Sequence, residues 1–437
     1  MGWTPNLQRL RHGTAAGAAR HLIYHWMTGD PEWPPTFRAP VHGSPARAHS
    51  GNAYVHLPFC ETICPHCPYN KIRFDGALAE AYHEALLREV GCYIEAPGRP
   101  AIRTLYFGGG TPTLTPRTLA AAIDRLTPLM TDDAEVAVEV YPADATPDLL
   151  ASLRDMGVTR ISLGVESRDP AVLRRLGRRY SPNGVEKALA SAKNAGFEML
   201  DVNLIFGVPG QAIDGFLDDV RFCVAAGADQ ISAYPLFTFD HTPAGTSRNE
   251  RLFARADDGD RLRMQRGVSD FCQSAGFERT SVWSYTRTGV RPYTTVSRAD
   301  YIGFGAGAGS KTPGLATFNT FSVPAYIDAS PNATALQYTL SDGQQRADWL
   351  YWQIYNTRID RSAYAARFGR PVDEDFGKVL RLLRVFGMLE RGAVEDVLTD
   401  RGAIWVHRIQ SMFSLNGIDA VWTACKREAW PQAVAVA

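Results

Sequence analysis

The stretch YVHLPFCETICPHCPYNK, Tyr54 to Lys71, places Cys60, Cys64 and Cys67 within eight residues, with His56 and His66 beside them. No fourth cysteine lies nearby, so the three thiolates can hold metal in two ways. Zinc would take them together with His56 or His66 as a closed Cys3His site. An iron–sulfur cluster would take the three thiolates and leave one iron open to a small ligand. Such an iron does chemistry rather than only carrying electrons.

Outward from this stretch the chain alternates strands and helices. The candidate strands are AYVHLP (53–58), RTLYFG (103–108), EVAVEVY (135–141), RISLGVE (160–166), LDVNLIFG (200–207) and QISAYPLF (230–237). Four helix starts share one punctuation: Thr115-Pro116, Thr146-Pro147, Asp169-Pro170 and Ser181-Pro182. Each offers a capping oxygen followed by a proline whose missing N–H costs nothing in the first turn. Such alternation predicts an α/β fold, a parallel sheet with right-handed crossovers closed into a partial (β/α)6 TIM-type barrel. Side chains alternate along a strand. If the apolar faces meet the helices, then Tyr54, His56, Glu139, Glu166 and Asn203 point together into the lumen. Burying them is costly unless they are paired or hold a ligand. The cysteine loop leaves the same end of the sheet, where active sites of such folds sit.

Composition narrows the rest. The 437 residues are too many for one ordinary domain. Lysine plus arginine equals aspartate plus glutamate, which argues against a nucleic-acid or membrane footprint. No apolar leader opens the chain, and no run of about 18 apolar residues marks a membrane span. Four of the seven cysteines are scattered, at 92, 223, 272 and 425, which fits a reducing cytoplasm with one metal site. The expected division is a lead-in over 1–50, the barrel over 51–240, a mixed extension over 241–330 and a helical, winged-helix-like domain over 331–437.

The spacing C-x3-C-x2-C after a strand, with GGGTP (108–112) ending the next strand, resembles the signature of radical S-adenosylmethionine (SAM) enzymes. That resemblance implies a 4Fe–4S cluster on Cys60, Cys64 and Cys67. SAM on the open iron would be cleaved to methionine and a 5′-deoxyadenosyl radical. The ordered segments YVHLPFC, LYFGGGTPT, VEVYP, ISLGVES, LGRRYS, NLIFGVPGQ and YTT…DYIGFGAG are similar to those of oxygen-independent coproporphyrinogen III oxidases and their relatives. Residue by residue, the resemblance puts Tyr54 beside SAM and Gly109, Gly110 and Thr111 at its methionine end. It puts Glu139 in the same pocket, Arg178 on the carboxylate, and positions 166 and 203 on the ribose. Relatives show glutamine and aspartate at the last two; this chain has Glu166 and Asn203, an exchange that keeps one carboxylate and one amide. Tyr69 stands where the oxidases carry an extra cysteine, and is expected to serve the reaction.

The segment from Arg291 to Ser310 lies, in the oxidases, by a second SAM. Here it keeps Tyr293-Thr294-Thr295, Asp300, Gly303, Gly305, Gly307 and Gly309, glycines that let backbone approach a ligand closely. Together with the altered Tyr69, this leads to the expectation of a class C radical SAM methyltransferase or cyclopropanase. It would use two SAM molecules, act on a small aromatic natural-product substrate in a biosynthetic pathway, and draw on an electron donor such as flavodoxin or ferredoxin. Two other readings stand beside it. One is an anaerobic tetrapyrrole enzyme that decarboxylates coproporphyrinogen III or opens heme. The other is a heme chaperone, whose His-Asn…Tyr-Trp motif this chain lacks.

Overall fold

Among the described residues nine strands form one sheet, and the first six in chain order lie parallel in its middle. They are β1 (Asn52–Leu57), β2 (Ile102–Gly109), β3 (Met130–Val140), β4 (Arg160–Glu166), β5 (Met199–Phe206) and β6 (Gln230–Pro235). β7 (Phe277–Arg279), β8 (Ser284–Arg287) and β9 (Ile302–Phe304) complete it in the order β7-β8-β6-β5-β4-β3-β2-β1-β9. β8 runs antiparallel to β6, whereas β9 adds parallel to β1. The expected six-strand α/β barrel is therefore present, extended at both edges. This computed structural model describes residues 14–40, 50–245, 257–293 and 300–436, without the side chains of 14–16 and 407–416.

Register turns the alternation into layers. Tyr54 lies opposite Tyr106, Tyr106 opposite Ala137, Ala137 opposite Arg160 and Arg160 opposite Met199. Two residues along, Glu139, Ser162, Asp201 and Gln230 form the next row. Asn203 and Ser232 face each other one step further. Val55, Leu57, Val138, Ile161, Leu163, Val202 and Leu204, on the opposite faces, are fully buried. Each such side chain contributes roughly 1.5–3 kcal/mol by leaving water.

The crossover helices begin as their punctuation predicts in three cases of four. Thr146, Asp169 and Ser181 accept backbone N–H bonds from the first turns of helices 147–155, 170–175 and 182–194. Thr115 does not, because a short 3-10 turn (Pro112–Leu114) runs directly into helix 116–126. Its hydroxyl instead donates to the Pro112 carbonyl at 3.3 Å.

The chain divides into two units, 40–312 with 317–335, and 1–39 with 313–316 and 336–437. The sheet belongs to the first. In the second, helices 342–355, 361–368 and 372–385 pack with a three-stranded antiparallel sheet (358–360, 395–398, 389–391). Its core includes Trp349, Leu350, Tyr364, Phe376 and Leu380. Fully buried Asp396 is paired by Arg361 and by Arg384, the latter at 2.7 Å. No described helix is long and apolar enough to cross a membrane.

Candidate functional site

The cysteine loop is a closed ring. Phe59 and Cys60 pair with Ile72 and Arg73 as a two-residue ladder, so residues 61–71 leave and return at one point. Inside it the Cys67 N–H reaches the Cys64 carbonyl at 3.4 Å, and Lys71 Nζ donates to the carbonyls of Cys67 (2.6 Å) and Tyr69 (3.2 Å). Neighbours hold the outer rim. Ala244 N–H donates to the Pro65 carbonyl at 3.0 Å, and His241 Nε2 meets that of Pro68 at 3.1 Å. All seven cysteines are free thiols. Burial pushes the Cys60 thiol up to about 11 and raises Cys64 as well. The three thiols share one closed loop with no disulfide among them, the arrangement of a ligand set.

The donor set fits an iron–sulfur cluster better than zinc. Both ring nitrogens of His56 are engaged, Nδ1 with the Tyr54 hydroxyl (2.8 Å) and Nε2 with the Asn70 carbonyl (2.7 Å). That ring cannot also bind a metal. Burial lowers its pKa to about 4, so it stays neutral. Among the described residues no three His, Cys, Asp or Glu side chains converge as a single ion requires. Three thiols around a loop rim suit a cluster, whose irons spread its ligands apart. His66, between Cys64 and Cys67 in sequence, is buried with Nδ1 unpartnered.

The glycine strip meets the loop directly. Gly110 N–H donates to the Leu57 carbonyl and Thr111 N–H to that of Phe59, both at 2.8 Å. Thr111 Oγ1 donates toward Cys60 Sγ at 3.6 Å. Gly109 has φ +110, and a Cβ there would stand 2.5 Å from the His56 ring. Glycine is therefore required for β2 to pass the histidine.

Below the strip the lumen is polar. The Tyr54 and Tyr106 rings stack at 5.7 Å, and Tyr106 donates to Glu139. Burial raises the Glu139 carboxyl, while the Tyr106 hydroxyl and the Gly109 N–H oppose it. Glu166 sits at the end of β4 with φ +62, a costly backbone for a non-glycine residue, and pairs with Arg178. Arg178 lies over the Tyr141 ring at 5.3 Å. Positions 166 and 203 thus engage different partners: Asn203 Nδ2 donates to Ser162 Oγ at 2.8 Å.

The segment expected to hold a second SAM divides between the two ends of the sheet. Thr294 and Thr295 lie outside the described residues. Tyr293 is buried against the Tyr106 ring, its backbone bonded at both ends to Gln230. Arg291 pairs with Glu135 at 2.7 Å, beside Arg160 at the start of β4. That is the strand end remote from the cysteine loop. Gly305 and Gly307, both at positive φ, press on the chain itself. A Cβ at 305 would meet the Tyr82 hydroxyl and the His56 carbonyl, and one at 307 would stand 2.8 Å from Asn70. A Cβ at Gly309 would lie 3.0 Å from the Phe318 ring. The close approach that these glycines allow is to protein, not to open space.

Several participants were not singled out from sequence. Lys71 and Asn70 stand in the opening stretch, and Asn70 Nδ2 ties the loop to the carbonyls of Ala306 (3.1 Å) and Phe321 (2.9 Å). Tyr106 and Asp201 share the inward periodicity of Tyr54 and Asn203. Glu89, which accepts from Gly305 N–H, Asn319 and Tyr326, has no local signal, because its partners lie more than two hundred residues away.

Comparison with known proteins fits this geometry. The radical SAM superfamily model matches residues 54–223. The chain is 27% identical over 375 residues to the heme chaperone HemW of Bacillus subtilis, covering 83% of this chain and 98% of that one. It is 30% identical over 348 residues to the oxygen-independent coproporphyrinogen III oxidase of Bradyrhizobium diazoefficiens, covering 73% and 76%. The structure of the Escherichia coli coproporphyrinogen III oxidase HemN superposes with a TM-score of 0.71 at 23% identity, over 90% of this chain and 97% of that one. These findings overturn the expectation of a methyltransferase or cyclopropanase serving a natural-product pathway, since the relatives are named for heme and coproporphyrinogen. The chain belongs to the radical SAM superfamily, in the branch of the oxygen-independent coproporphyrinogen III oxidases and heme chaperones, a membership that implies a 4Fe–4S cluster and SAM.

Proposed function

We propose that this protein is a radical SAM enzyme acting on a tetrapyrrole, by oxidative decarboxylation of a porphyrinogen or by opening of heme. One observation carries the reading: the three-thiol loop and its glycine strip are complete in a chain that is 30% identical to a coproporphyrinogen III oxidase over three-quarters of that enzyme's length. Cys60, Cys64 and Cys67 would hold the cluster, and Gly109, Gly110 and Thr111 would present backbone and hydroxyl groups to the amino-acid end of SAM. The cluster and SAM held there would supply radical chemistry for hydrogen abstraction from substrate. The residues around them hold the reactants and exclude water. Lys71 braces the loop through its bonds to the Cys67 and Tyr69 carbonyls. Tyr54, Tyr106 and Glu139 form a connected floor. Tyr69, half-exposed within the loop, would present a phenol to the macrocycle where the oxidases have a cysteine. An electron donor such as flavodoxin or ferredoxin would reduce the cluster.

Heme carriage without turnover is the second reading, favoured by the match along 98% of a heme chaperone. One experiment separates the two. The reconstituted protein is incubated anaerobically with SAM and a reductant, with coproporphyrinogen III in one arm and heme in another. Turnover predicts 5′-deoxyadenosine in step with a change in tetrapyrrole mass. Stoichiometric heme absorption with unchanged heme and no deoxyadenosine would replace it with carriage. Neither tetrapyrrole binding nor conversion would remove both.

A further inference from the structure

Asp201 lies on the lumen face of β5, buried, and accepts three hydrogen bonds. Ser162 Oγ donates at 2.6 Å, Ser232 Oγ at 2.7 Å and Gln230 Nε2 at 3.0 Å. Ser162 is also the acceptor for Asn203 Nδ2 at 2.8 Å. A hydroxyl has one proton. An ionised carboxylate can only accept, so the Ser162 proton must go to Asp201. The remaining lone pairs of Ser162 then demand a donor, which only the NH2 end of Asn203 can be. The direction of the chain is thus set from its buried end, and the amide carbonyl is the end of half-buried Asn203 left to face the lumen.

We propose that Asp201 is a positioning residue that acts through Ser162 to hold the Asn203 amide with its carbonyl toward the ligand. Position 203 thereby offers the acceptor that a carboxylate there would offer. The carboxylate has in effect moved two residues along the same face of β5, and one hydroxyl transmits its polarity. This accounts for an amide at 203, because a carboxylate there would compete with Asp201 for the single proton of Ser162. The inference rests on the reading of position 203 as a contact to the SAM ribose, and is independent of which tetrapyrrole is the substrate.

The test is SAM affinity of the cluster-reconstituted protein, measured by equilibrium dialysis, with thermal melting of each variant to confirm folding. Asp201→Asn is isosteric but can donate to Ser162, freeing the hydroxyl to turn the Asn203 amide around. It should weaken SAM binding about tenfold, the scale of one misdirected hydrogen bond. Asn203→Asp in the wild-type background should also weaken binding. In the Asp201→Asn background the same substitution should restore it, because a carboxylate at 203 needs no relay. That sign reversal is not the signature of a merely structural role. Unchanged affinity in Asp201→Asn, or a folded double variant no tighter than Asp201→Asn, would overturn the relay. Unchanged affinity in Asn203→Ala would instead show that position 203 does not contact SAM.

Discussion

Asp201 also leaves a mark on stability. Burial pushes its carboxyl up to about 6 against the opposing bonds from Ser162, Ser232 and Gln230, and the titratable groups facing it are Glu139 on β3 and Tyr234 on β6. The folded state therefore holds this proton more firmly than the unfolded chain. The stability so contributed is complete below about pH 4 and is lost as pH rises through about 6, a change of up to about 3 kcal/mol by neutral pH. Asp201→Asn should flatten that part of the pH dependence, so that its denaturant midpoint relative to wild type rises between pH 4 and pH 7. A parallel offset at all pH values would refute the assignment. At this scale the sequence was partly legible. Period-two alternation identified Glu139 and Asn203 as inward-facing, and by the same count it included Asp201. It could not show that Glu166 spends its charge on Arg178, since that depends on a residue at φ +62 where β4 stops following the pleat.

Among the elements, the decisive one is the tight passage of β2 past β1. Gly109→Ala would place a methyl group against the His56 ring at a backbone angle that disfavours any side chain, a cost of order 1–3 kcal/mol before the ring moves. His56 would have to release the Tyr54 hydroxyl or the Asn70 carbonyl, and the latter anchors the cysteine loop. The expected outcome is a lower melting temperature together with reduced iron content after reconstitution. Gly289→Ala, also at positive φ but with open space around it, should share the conformational penalty and keep its iron. The six parallel strands were legible because each is a short apolar-alternating run bounded by turn residues. The edge strands were not. β9 is three residues long and β7 and β8 lie in a mixed stretch, so their place comes from long-range pairing rather than from local pattern.

At the scale of the whole molecule, the seven cysteines divide by surroundings. Cys60, Cys64 and Cys67 share one loop, whereas Cys223, Cys272 and Cys425 are buried singly with their thiols raised by burial. Alanine at any one of 60, 64 or 67 should abolish the cluster absorption and most of the bound iron of anaerobically reconstituted protein. Alanine at 92, 223, 272 or 425 should leave about four irons per chain. Equal iron loss from both groups would mean that the loop is not the ligand set. The pairing of β9 with β1 joins residue 304 to residue 55, and Asn70 to Ala306 spans 236 positions. At roughly 5–20 residues per second, a ribosome takes on the order of tens of seconds to make that much chain. Throughout that interval β1, the strand that leads into the cysteine loop, has an open edge and the loop lacks its Asn70 anchor. The nascent protein thus shows its thiols to dissolved oxygen before it can grip a cluster. The expected outcome is that iron loads only after residue 306 has been made, so aeration during synthesis should lower the yield of iron-loaded protein more than equal aeration afterwards.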